Sequence, residues 1–193
     1  MPAAIGFTVK SGWAAAVVVA DTREGLRVLD SRRVELCDPD EPESMQPYHD
    51  GFATMRKPGP KLTRLLSSVR QFGRRSVIEY LTEIRTEPGN VTGSGVVVGS
   101  LIDPTTIGNE HIRIHAMEGK LFREVILDAA ERSGLRCAVW RERDLMAIAR
   151  TSLQLSDTSV KRTLQQCGAA SRPWRTEQKH AALAAWLVIR GVA

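Results

Sequence analysis

Aromatic residues make up only 5% of this 193-residue chain, too few to line a platform on which single-stranded bases stack in succession. Cysteine is scarcer still. Cys37, Cys137 and Cys167 are odd in number, widely spaced and form no CxxC. That pattern argues against a disulfide scaffold or a cysteine-rich zinc site, and for reduced thiols in the cytoplasm. No stretch reaches the roughly 18 consecutive apolar residues of a membrane span, so no membrane partner is expected. Residues 14–20 are apolar, but the run is short and Lys10 is the one side-chain charge before it, which is poor material for a secretion signal. A P-loop, a Gly-rich dinucleotide fingerprint, a Ser-His-Asp arrangement, an internal repeat and a low-complexity tract are all missing.

What is present is the composition of an ordinary globular domain, 42% hydrophobic and 25% charged. The length suits a single domain over residues 1–193 with a real core. A net charge of +5 and an isoelectric point near 9.4 are compatible with nucleic acid or another acidic partner.

Residues 3–9, 13–20 and 26–36 are rich in Val, Ile and Ala and are separated by short turns. They read as a three-stranded antiparallel meander. Residues 37–60 hold five of the nine prolines and form a long loop of the kind that is either functional or disordered. Residues 61–85 then show helical spacing, with Phe72-Gly73 marking a break or a close contact, and Pro88-Gly89 stops the helix. The apolar run 95–102 suits a strand buried on both faces. Asn109 is placed to cap a helix that runs to Ser133, with Gly134 as its C-terminal stop. A short strand at 135–140 and helical segments at 144–150, 160–167 and 176–189 complete the chain. A meander followed by alternating helix and strand predicts an α/β domain in three layers (α/β/α), with a five-stranded mixed sheet.

This order resembles the ribonuclease H-like superfamily, and within it the RuvC Holliday-junction resolvase group. The opening hairpin "AIGFTVKSGWAAAVVV", the helix and strand "RIHAMEGKLFREVILDAAERSGLRCAVW" and the Ala-rich terminal helix "EQKHAALAAWLVI" carry the resemblance. It implies a homodimer that binds nucleic acid, and a site where clustered carboxylates hold two divalent ions. Carried over by position, those carboxylates fall on Thr8, on or beside Gly99, and near Gln178 and Ala181. None of these is acidic; Asp103 and Glu177 are the nearest acids in sequence. The resemblance therefore implies a catalytically degenerate relative.

Other polar groups are candidates for the same cleft. His111, His115 and Glu118 fall at i, i+4 and i+7, one helix face, as a site for a divalent metal would require. His49 or His180 could complete it. In that event His115 and Glu118, with His49 or His180, would be the catalytic groups of a metal-dependent hydrolase. The alternative is an ordinary partly exposed helix face. Lys10 and Ser11 in the first turn could hold a phosphate, or form a plain hairpin turn. Between residues 51 and 78 there is no acidic residue. Arg64, Arg70, Arg74 and Arg75 lie there, and Lys161 and Arg175 belong to a second basic group further on. If both groups share one surface, they would track a phosphate backbone; otherwise they are solvated charges paired with acids such as those at 38–43. Tyr48, His49, Asp50 and Phe52 in the long loop place an acid–base pair in sequence, or a plain exposed turn. No cofactor is firmly implied; a divalent metal is the one candidate. Two functions follow: a nucleic-acid or protein binder without two-metal cleavage, or an enzyme of different chemistry.

Overall fold

The computed structural model describes residues 1–51, 53–85 and 90–192. The first strands, β1 (Pro2–Lys10) and β2 (Trp13–Thr22), are joined by a tight turn, and β3 (Gly25–Glu35) continues the meander. The turn needs Gly12, whose φ of +80° lies in the left-handed region. Helix α1 (Pro60–Arg85) leads to β4 (Asn90–Val98), and α2 (Glu110–Arg132) leads to β5 (Arg136–Arg141). Three helices close the chain: α3 (Glu142–Leu153), α4 (Asp157–Cys167) and α5 (Thr176–Ile189).

The strands form one five-stranded sheet in the order β3-β2-β1-β4-β5. β1 pairs antiparallel with β2 and parallel with β4, and β4 pairs parallel with β5. Alternation along the strands sorts side chains to two cores. Ala3, Ile5, Phe7 and Val9 face α1 and α2, where they meet Val69, Val77, Leu81, Phe122 and Ile126. Ala4, Val17, Val19 and Val97 face the opposite layer of α3, α4 and α5. The expected three-layer α/β/α domain is therefore present.

Helix α5 lies directly on the sheet. A Cβ at Gly6 would sit 1.8 Å from the Ala181 carbonyl oxygen, and one at Gly95 would sit 2.8 Å from that of Ala184. Glycine on the strands and alanine on the helix are what allow backbones to approach so closely. Gly73 plays the same part between helices: its missing Cβ makes room for Val125, and α1 runs unbroken through it. Asn109 caps α2 through Ile112 N–H, and Gly134 follows at φ +73°, as the sequence predicted.

One strand differs from expectation. β4 ends at Val98, with Leu101 and Ile102 exposed in the loop beyond it. Its pairing with β1 starts at Pro2 opposite Asn90, so the ladder begins earlier than the apolar run, on polar residues that composition alone does not mark as strand. The expected turn at Pro88-Gly89 and the loop residue Phe52 lie outside the described residues. No helix among the described residues is long and apolar enough to cross a membrane.

Candidate functional site

The long loop is built around a buried arginine. Arg56 is 8% exposed. Its guanidinium donates to the carbonyls of Pro47 and His49 at 3.0 and 2.6 Å, and faces Glu43 and Asp50. Arg56 N–H also donates to the Tyr48 carbonyl, and Asp50 N–H to that of Thr54. The segment is thus a small hairpin in which His49 bridges Met55, and Gly51, at φ +94°, opens the turn after Asp50. Met55 N–H donates to Glu110 Oε1 at 3.0 Å, docking this hairpin on the first turn of α2.

Docking brings His49 onto the α2 face that carries His111 and His115. The ring centroids of His49 lie 6.1 Å from His111 and 5.0 Å from His115, and those two are 4.6 Å apart. One ring nitrogen from each of the three lies within 4.8 Å of the others. Glu118 sits behind them, fully buried, and His49 Nδ1 is 2.8 Å from its Oε1. Burial pushes the Glu118 carboxyl above the ordinary carboxylate range, against the opposing pull of His49. Burial, with His111 and His49 adding to it, holds His115 below the usual imidazole value.

Of the sequence candidates, the structure thus gathers His49, His111, His115 and Glu118. His180 lies elsewhere, on α5 across the sheet, with Nδ1 3.5 Å from Glu142. Glu142 also meets Lys10 at 3.4 Å. Lys10 of the expected phosphate turn is therefore already paired, and Ser11 is exposed. Two residues escaped sequence reasoning. Arg56 reads as one more charge in a basic stretch, although the Asp50-Gly51 turn ahead of it signals a hairpin. Glu142 carries no local signal.

The basic candidates divide. Arg64, Arg70, Arg74 and Arg75 are on α1, while Lys161 and Arg175 are on α4 and at the start of α5, in the opposite layer. Arg64 is 2.6 Å from Glu41, and Arg74 is 2.6 Å from Asp128. Arg70 and Arg75 carry no ion pair among the described residues. A cleft of about 520 Å³ between the loop, α1 and α2 is lined by Tyr48, Arg70, Arg113, Lys120 and Glu124.

The positions that the resemblance assigns to carboxylates lie between β1, β4 and α5. Thr8 is buried, and its hydroxyl donates to the Glu177 carbonyl at 2.9 Å. Gln178 accepts from Arg175 N–H, Ala181 is packed against Gly6, and Gly99 follows the end of β4. Asp103 is spent on Thr105 N–H in a local turn, which holds its carboxyl below the ordinary range. Hard divalent ions need several oxygen ligands, usually anionic. This donor set does not fit two of them.

No protein-family model and no curated protein matches the chain. Among solved structures the chain is similar to RuvC of Thermus thermophilus, at 13% identity and a TM-score of 0.59 over 99% of this chain and 98% of that one. It is similar also to T. thermophilus RuvC in complex with a Holliday junction substrate, at 13% identity and a TM-score of 0.60 over 100% and 98%. These likenesses extend from end to end and concern the backbone: the chain has a ribonuclease H-like fold of the RuvC kind.

Proposed function

We propose that this chain is a RuvC-like nucleic-acid-binding protein that recognises branched DNA without cleaving it through carboxylate-held ions. The observation that carries this reading is the end-to-end likeness to a junction-bound resolvase, in a chain whose Thr8 hydroxyl is tied to the α5 backbone. A neutral, hydrogen-bonded group at that place cannot bind a divalent ion as a carboxylate does. The net charge of +5 is in keeping with a polyanionic partner. Arg70 and Arg75 on α1 are the contacts to a phosphate backbone. Arg64 and Arg74 contribute less, since each already faces a carboxylate. Lys161 and Arg175, in the opposite layer, are not part of that contact. The protein acts in the cytoplasm as a homodimer, the state that the resolvase resemblance implies.

Fluorescence anisotropy with a four-way DNA junction and a matched linear duplex tests this. Junction affinity well above duplex affinity, falling steeply with salt, with no magnesium-dependent cleavage, is the expected result. Flat titrations on both DNAs at low salt overturn it.

A further inference from the structure

We propose that His49, His111 and His115 bind one divalent ion of the zinc class, with Glu118 as the buried group that orients His49. The ligands come from two places far apart in the chain, a loop hairpin and the first turns of α2, and they converge on one point. Imidazole nitrogens suit zinc and its neighbours in the first transition row. Three nitrogens around one zinc ion lie roughly 3.3 Å apart, given zinc–nitrogen bonds of about 2.0–2.1 Å. The observed spread of up to 4.8 Å closes to that by small side-chain rotations, and His115, half-exposed at 49%, has room to make them.

Glu118 is the second, independent indication. Its side chain is 1% exposed, and a buried charge is costly unless it is compensated. His49 Nδ1 occupies one carboxylate oxygen, which leaves Nε2 as the nitrogen of that ring available to an ion. The other oxygen, Oε2, is buried without a hydrogen-bond partner among the described residues and lies 3.7 Å from His115 Nδ1. A carboxylate behind a ligating histidine is a recurring arrangement around metals. It fixes the ring and its tautomer. A dication in front of these rings would help to compensate that buried carboxylate. Three protein ligands leave a fourth tetrahedral position for water or another small ligand.

The test is a titration of zinc into tag-free protein, followed by calorimetry and by melting temperature. Saturation at one ion per chain, with a rise in melting temperature as linkage requires, is expected. His115→Ala removes a half-exposed side chain and leaves both cores intact, and it weakens binding about tenfold or more, while Glu118→Gln weakens it by roughly 10- to 100-fold. His180→Ala leaves the affinity unchanged. Should Glu118→Gln not fold, His115→Ala and the visible spectrum of bound cobalt(II) carry the test: d–d bands without thiolate charge transfer are expected. A titration that never saturates, binding indifferent to His115→Ala, or a thiolate band each overturns the proposal. No nucleic acid enters the experiment, so its outcome is independent of the junction reading.

Discussion

The hydroxyl of Thr8, in the middle of β1, donates to the main-chain carbonyl of Glu177 at the start of α5 across 2.9 Å. One side chain thus ties the central strand to the first turn of the last helix. The bond is nearly dry, with Thr8 only 1% exposed.

Replacing Thr8 with aspartate sets a carboxylate against a carbonyl oxygen in that dry space. Thr8→Asp is expected to destabilise the fold by about 3–5 kcal/mol, as unpaired buried charges do, and to gain no magnesium-dependent nuclease activity. Thr8→Val loses only the hydrogen bond and costs about 1–2 kcal/mol. Urea denaturation of both variants measures the difference. A Thr8→Asp protein as stable as its parent would mean that the space is open to water or an ion.

Two glycines give opposite outcomes for the same substitution. Gly6→Ala places a methyl 1.8 Å from the Ala181 carbonyl oxygen, so α5 must lift from the sheet, at a cost of about 3 kcal/mol or more. Gly119→Ala, inside α2, meets nothing within 4 Å and is expected to stabilise by about 0.5–1 kcal/mol through helix propensity. Thermal melts of the pair test how closely α5 is seated.

His180 gives stability a pH dependence. Burial holds its imidazole below the ordinary value of 6.5, with Glu142 pulling upward and Lys10 pushing downward. Above that value both folded and unfolded forms are neutral, and the stability is complete. As pH falls below it the unfolded chain takes up the proton first, so stability drops until the folded form also titrates. His180→Asn is therefore expected to lose less melting temperature than the parent between about pH 7.5 and about pH 5.5. Equal losses in the two proteins would mean that His180 titrates alike in both states.

The thiols should be inert in the folded protein. Burial pushes Cys37, Cys137 and Cys167 each up to about 11, and the thiolate is the reactive form. A chromogenic disulfide reagent at about pH 8 is expected to react slowly with native protein and rapidly with all three thiols in denaturant. Fast labelling of the native chain would place at least one thiol in a more polar setting.

Much of the fold was legible because its signals are local. The apolar runs of β1 and β2, a capping Asn109, and small residues along α5 each declare an element within a few positions. The β4 boundary was less so, because the polar Asn90 and Ser94 join the ladder through pairing with β1 rather than through their own preference. The candidate site was half legible. The spacing of His111, His115 and Glu118 follows from the helical period alone, but its partner in the loop does not.

The sequence by itself determined the order of elements, the two-faced strands and the single-face set on α2, since period and side-chain chemistry act over one or two turns. Tertiary structure decided the rest. It seated the Arg56-centred hairpin on Glu110, which chose His49 and not His180 as the companion of His115. It put the two basic groups on opposite layers, and it joined Thr8 to Glu177 across 169 positions of chain. Contacts between residues so far apart depend on how whole layers pack, and no local pattern encodes them.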